Sequence, residues 1–420
     1  MKHYSIALRW RSLVALGAGL VAVVGMAGPA SAAPNDQALT PGAVFTQTNT
    51  APNYVAVFNR GADGKLVAAG QVATGGNGQP AGNPPFGLPF ADSAGNVELA
   101  SDGDSRSCLF VTNIASNTVS SFRVGSDGIE LADQRPTGGS RPVSLTSNRR
   151  GPLSLLLYVL NADVSAASIQ GYFVSVNCAL TPIAGSHQLT TAQAGLPAQI
   201  AFNSRGTVLA VSQRISAGGH GDFNVFPVDG NGVAGAAIAS PSSGANPYGL
   251  AWTKHDQLTV SNANVPGAAS SVSSYQLTES NTLVPVGPAE VPSPGLACWN
   301  VITDNGKFLY ITNPAGPFVP GGTSITAYTI GQDGSLASAG PGVNVPAVPV
   351  APGVSLPLNA IDEALSVNSQ YLYVLANQMI PFAGPLSTIN QYSIDQRTGG
   401  LTFVGAVEMP RNSTSGLAAW

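Results

Sequence analysis

The sequence predicts an all-β chain folded as a seven-bladed β-propeller built from four-stranded antiparallel blades. Three observations lead there. Seven strand-like runs end on an equivalent aromatic residue, each is preceded by a second run ending in an amide, and the two chain ends carry complementary pieces of one unit. The aromatics are Phe58, Phe122, Tyr172, Phe226, Tyr275, Tyr328 and Tyr392, spaced 64, 50, 54, 49, 53 and 64 residues apart. Such self-similarity marks one supersecondary unit used repeatedly, each copy burying its apolar face against its neighbours.

The unit reads as follows. The amide-ending runs are short, β-branched and aromatic, as in Leu109-Phe110-Val111-Thr112-Asn113 and Leu157-Tyr158-Val159-Leu160-Asn161. Six of the seven end in Asn and one in Gln, a pattern that suggests a turn, since Asn tolerates positive φ. The aromatic run follows, then a hairpin dipeptide such as Asp63-Gly64, Asp127-Gly128 or Asp333-Gly334, then a further strand such as Leu66–Val72, Leu283–Val286 or Leu401–Val407. Before each amide-ending run lies another apolar stretch, for example Val143–Thr146, Ala198–Phe202, Gly249–Trp252, Trp299–Thr303 and Ala360–Val367. Four strands of about five residues per unit, repeated seven times, describe a propeller. The first unit starts at its second strand, near Val44. The chain ends on Ser415-Gly416-Leu417-Ala418-Ala419-Trp420, which mimics Pro247–Trp252 and is expected to supply the missing innermost strand. Two stacked sandwich domains would give neither equivalent aromatics nor complementary ends.

Composition agrees with one large core in residues 33–420. Only 9% of residues are charged, with 49 Gly and 32 Pro, yet 44% are hydrophobic and fall in short alternating runs. Residues 1–32 read as a signal peptide: Lys2, Arg9 and Arg11 precede an apolar stretch, and Ala30-Ser31-Ala32 is an A-x-A cleavage site. Export follows, to the medium, the periplasm or the cell surface. Losing three basic and no acidic residues takes the formal charge from −4 to −7. Without a basic run, nucleic acid is a poor partner, and no later segment is apolar enough to span a membrane. Of the three cysteines, Cys108 and Cys178 fall on one face of neighbouring blades, so a disulfide between them is sensible and Cys298 is left over. The alternative is three small buried hydrophobes.

The unit resembles the lactonase family of seven-bladed propellers, which includes bacterial 6-phosphogluconolactonases and fungal carboxymuconate cyclases. The residues that carry the likeness are Asp304–Asn313, Ser324–Ile330 and Asp333-Gly334-Ser335-Leu336, with the pattern repeated over Leu109–Leu131. Phe110-Val111-Thr112-Asn113 and Tyr310-Ile311-Thr312-Asn313 also look like the YVTN repeats of cell-surface propellers. The resemblance implies a lactone hydrolase or cyclase. Enzymatic members often open their innermost strands with Pro-His. Here the Pro is kept in Arg141-Pro142, Leu196-Pro197, Asn246-Pro247 and Leu356-Pro357, and no His follows.

Candidate chemistry is sparse. There is no Gly-x-Ser-x-Gly elbow and no metal-ligand spacing, and Asp102-Gly103-Asp104 reads as a hairpin turn rather than a calcium loop. No cofactor is implied. The sequon Asn412-Ser413-Thr414 matters only in a host that glycosylates. Glu98, Asp362 and Glu363 fall on predicted innermost strands, where a carboxylate can serve as general base. Asp362 and Glu363 are expected to face opposite ways, as successive strand residues do. Arg141, just before an innermost strand, could bind a substrate carboxylate, and His220 is expected in a loop on the same face. For each of these residues the plain alternative is a polar lining of a wet channel or an exposed loop. Two functions therefore stand: a lactone hydrolase or isomerase acting at the channel mouth, or a non-catalytic propeller that binds a small carboxylated ligand or a protein.

Overall fold

A computed structural model describes residues 42–79, 94–101, 107–150, 155–163, 165–191, 196–215, 220–263, 270–288, 290–314, 323–352, 354–378, 387–409 and 414–420. Residues 1–32, read above as a signal peptide, and Asp102-Gly103-Asp104, Asn412 and Ser413 lie outside them. The described strands form seven antiparallel sheets of four or five strands, plus one small hairpin, Val348–Ala351 with Val354–Leu356, which the sequence did not announce. The innermost strands, in chain order from blade 2, are Val97–Ser101, Pro142–Arg149, Pro197–Phe202, Pro247–Trp252, Asn300–Ile302 and Asn359–Leu365. Blade 1 takes its innermost strand from the other end of the chain, Ser415–Ala419, which pairs with Ala43–Gln47. Each innermost strand packs against those of both neighbouring blades, and the last packs against the first, so the ring is closed.

The repeated aromatics all lie opposite one position of the second strand. Phe122, Tyr172, Phe226, Tyr275, Tyr328 and Tyr392 face Leu109, Leu157, Leu209, Leu258, Leu309 and Leu372, and Phe58 faces Val44. All seven are buried. One cross-strand aromatic–aliphatic pair, repeated around the ring, fixes the register of every blade.

The amides that close the second strands do something other than turn the chain. Of the seven, only Asn49 has positive φ. The other six are buried; Asn113 and Asn377 knot strands together, whereas neither Gln213 Nε2 nor Oε1 has a hydrogen-bond partner among the described residues. Asn113 accepts from Thr74 Oγ1 (2.7 Å) and Asn53 Nδ2 (3.0 Å) of blade 1 and donates to Ser120 Oγ (2.8 Å). Asn377 donates to Thr414 O (2.7 Å) and accepts from Thr414 Oγ1 (2.9 Å). A buried amide has to find partners, and here the partners lie in the neighbouring strand and blade. Glycines admit the approach: a Cβ on Gly244 would come within 2.3 Å of the Asn262 amide.

Cys108 of blade 2 and Cys178 of blade 3 form a disulfide with a Cα separation of 5.6 Å, and Cys298 is a buried thiol. No helix among the described residues is long and apolar enough to cross a membrane.

Candidate active site in the central channel

The innermost strand of each blade is a sheet edge, so its outward N–H and C=O groups need partners beyond the blade. Neighbouring blades supply many of them. Leu145 N–H donates to Gly95 O (2.7 Å). Ser144 Oγ and Thr146 Oγ1 accept from Ile200 N (3.1 Å) and Phe202 N (3.0 Å). Gln199 Oε1 accepts from Leu250 N (2.6 Å).

Two acids do the same work. Glu98 Oε1 accepts from Ser147 N (3.0 Å) and Ser147 Oγ (2.7 Å) of blade 3. Asp362 accepts from Leu417 N–H of the closing strand, and its Oδ1 also accepts from Glu363 N (2.8 Å). Glu98 and Glu363 hold one register position in blades 2 and 7, opposite Phe110 and Val374, each three residues before the terminal Asn of its second strand. Asp362 Oδ2 and both Glu363 carboxyl oxygens are buried without a hydrogen-bond partner among the described residues. Asn300 Nδ2 donates to Gly249 O (2.9 Å), and its Oδ1 is likewise unpartnered.

These residues enclose a cavity of about 240 Å³ in the channel, lined by Glu98, Gln199, Asn300, Asp362 and Glu363 among others. The structure therefore brings the three candidate carboxyls to one space. Asp362 and Glu363 both line it, against the expectation that one must turn away. An innermost strand shows the channel its edge rather than a face, so neighbouring residues such as Asp362 and Glu363, paired in regular register with Leu375 and Val374, can both reach it. Burial pushes the Glu98 carboxyl up to about 7 against the hydrogen bonds from Ser147. Burial likewise pushes Asp362 up to about 8, and burial plus the Asp362 charge raises Glu363 well above the usual range.

Arg141 and His220 are not part of this lining. Arg141 has φ +56 at the start of the blade 3 innermost strand, where its NH1 donates to Ala162 O (3.0 Å) and its N–H to Asn117 Oδ1 (2.9 Å). His220 is exposed, and its carbonyl accepts from Asn246 N–H (2.9 Å) at the start of the blade 5 innermost strand. A buried apolar cluster includes Ala94, Ala198, Tyr248, Trp299, Ile361 and Leu417, and Ala94, Trp299 and Leu417 of these also line the acid cavity. Tyr248 and Trp299 meet edge to face at 5.1 Å, and Ala94 N–H donates to Ala198 O (3.2 Å), tying blade 2 to blade 4. Arg141 and the acids share a ring but not a pocket. Among the described residues no group of three or more His, Cys, Asp or Glu side chains is placed to hold a metal ion.

Gln199 and Asn300 escaped the sequence reading. No fixed count from the terminal amide finds them: Asn300 lies opposite Ile311, two residues before Asn313, and Gln199 falls in the bulge between Pro197 and Ile200.

No protein-family model matches the chain, and no curated protein matches it. Solved structures do. A candidate 6-phosphogluconolactonase from Bacteroides fragilis is 14% identical, with 90% of this chain and 98% of that one covered and a TM-score of 0.57. Another from Bacteroides uniformis is 14% identical, with 89% and 98% covered and a TM-score of 0.58. A hypothetical selenium-binding protein from Sulfolobus tokodaii is 12% identical, with 92% and 94% covered and a TM-score of 0.59. At such identity the likeness is one of fold: this chain is a seven-bladed propeller of the architecture that lactonase-like proteins share with others.

Proposed function

We propose that the protein binds a small lactone in the channel cavity and opens it by general acid–base catalysis, with Glu98 as the base. The observation that carries this is the convergence of three carboxyls on one cavity, with Glu98 poised near neutrality. Ionised Glu98 takes a proton from water as the water oxygen attacks the acyl carbon. Neutral Asp362 or Glu363 donates a hydrogen bond to the carbonyl oxygen as charge gathers there. The ring C–O bond then breaks, and the proton on Glu98 passes to the leaving alkoxide, giving a hydroxy acid. The cavity lining holds no Lys, Arg or His among the described residues, which disfavours a phosphorylated lactone. The signal-like 1–32 segment supports export.

A panel of lactones assayed with the protein lacking residues 1–32 tests this. Hydrolysis that rises with pH through about 7 and falls by about 10²–10⁴ in Glu98→Gln supports it. No turnover across the panel refutes it. A binding-only propeller is the second reading, favoured by the work Glu98 and Asp362 already do as acceptors for neighbouring-blade N–H groups. It predicts binding without turnover.

A further inference from the structure

The innermost strands are not equally buried along their length. In blade 5 four buried residues are followed by half-buried Ala251 and Trp252. In blade 6 Asn300 is buried and Val301 and Ile302 are half-buried. Blades 1, 3 and 7 show the same gradient, from buried starts to half-buried ends. Solvent thus reaches the channel wall at the strand ends, while the buried apolar cluster occupies the strand starts. A second cavity, of about 410 Å³, lies at the strand ends, with one wall of Leu99, Ile302, Leu365, Val367, Ala419 and Trp420 and a polar one of Ser101, Asp304, Ser366, Asn368 and Ser369. Leu99 and Ala419 also line the acid cavity, so these two residues form the throat between the spaces.

We infer that the ligand enters from the face where the innermost strands end, remote from Arg141 and His220, and that it is an uncharged ring carrying an apolar substituent. The polar ring occupies the acid cavity and the substituent lies in the outer cavity against Leu99 and Trp420. The lining supports this shape. The inner space holds the three carboxyls and two amides, the outer space adds an aliphatic and aromatic wall beside its polar one, and neither is lined by a basic side chain among the described residues. Together they have the size of a small-molecule site. A bare sugar lactone would leave the Leu99–Trp420 wall unused, and a phosphate would meet Asp304 with no basic side chain in the lining. This rests on the channel being the site, as proposed above, but not on catalysis.

The three tryptophans in residues 33–420 provide the assay. Trp299 lines the inner cavity, Trp420 lines the outer one, and Trp252 ends the blade 5 innermost strand. Lactams, which bind as lactones do but resist opening, serve as probes. Titration by tryptophan fluorescence is expected to show a hexyl-substituted five-membered lactam binding at least about tenfold more tightly than unsubstituted pyrrolidinone, since each buried methylene adds to affinity. Leu99→Trp, which fills the throat, is expected to weaken binding about tenfold or more. Leu99→Ala, which opens it, is expected to retain binding, and matched melting temperatures would confirm that both fold. His220→Trp, which crowds the opposite face, is expected to change nothing. Equal affinity for the two lactams overturns the ligand class. Loss of binding in His220→Trp but not in Leu99→Trp overturns the route. Tight lactam binding without lactone hydrolysis leaves the inference standing and sinks the catalytic proposal alone.

Discussion

Replacing Glu98 by Gln should make the protein more stable above neutral pH, and the size of the gain follows from the structure. The folded carboxyl titrates at about 7 because burial disfavours its charge, whereas its usual value is 4.5. The folded state therefore holds the proton more tightly than the unfolded state. The corresponding stability is fully present below pH ~4.5 and is lost as the pH rises through about 7. A difference of about 2.5 units at ~1.36 kcal/mol each gives an upper bound of about 3 kcal/mol. The compact unit spans Asn35–Trp420, and at ~2.1 cal/mol/K per residue its unfolding entropy is about 0.8 kcal/mol per degree. Part of this is already lost at pH 5, so the melting temperature of the parent should fall by about 3 °C between pH 5 and pH 9 on account of Glu98 alone. Asp362 and Glu363 act with the same sign. Gln keeps an Oε1 acceptor for Ser147 N–H, so Glu98→Gln should remove this slope without breaking the blade junction. Calorimetry of both proteins at several pH values from 5 to 9 measures it. Parallel profiles for parent and variant would refute the burial argument.

Three further outcomes are expected. Deleting residues 415–420 removes the innermost strand of blade 1 and exposes two sheet edges, so the truncated chain should aggregate or melt far lower; melting within a degree or two of the parent would sink ring closure by this strand. Tyr328→Ala should cost about 3–5 kcal/mol by denaturant unfolding, because the ring is fully buried and its hydroxyl donates to Pro292 O (3.0 Å), whereas Phe173→Ala, at a side chain 42% exposed and off the repeat, should cost far less. Cys178→Ser should lower stability by about 2–4 kcal/mol under oxidising conditions and by much less under reducing ones, since the disulfide ties positions 70 residues apart; an equal loss in both would point to packing instead.

The fold was open to sequence reasoning because its determinants are local and repeated. The Leu309–Tyr328 pair and its six equivalents each sit within one blade, on adjacent paired strands, and a period of two with a turn dipeptide is enough to find them. Ring closure could be read because Ser415–Trp420 copies Pro247–Trp252. The channel was less legible, since its chemistry depends on which blades meet. Nothing near Glu98 in sequence says that Ser147 of the next blade will hold its carboxylate. Nothing near Arg141 says that its guanidinium will be held by Ala162 O, outside the lining of the acid cavity. The amides were misjudged for a related reason: Asn113 looks like a turn residue until its partners Thr74 and Asn53 are brought up from blade 1.

The choice of acids at the blade junctions is itself an argument for function. Blades 3 and 4 satisfy the N–H groups of the next innermost strand with Ser144, Thr146 and Gln199, neutral groups that hold their hydrogen bonds at any pH. Blades 2 and 7 do the same with half-buried Glu98 and buried Asp362, whose carboxyls destabilise the fold wherever they ionise. Glu363 adds a third acid, buried and with no hydrogen-bond partner at all among the described residues. Gln at 98 and Asn at 362 would meet the structural need without that penalty. Sites of this kind, where local stability is given up, are where chemistry or binding is usually found. The two roles separate in one pair of measurements on Glu98→Gln. A variant that gains stability above neutral pH and loses turnover or lactam affinity shows that the acid serves the ligand. A variant that gains stability and loses neither shows that Glu98 is only a costly hydrogen-bond acceptor, and the base would then have to be sought at Asp362 or Glu363.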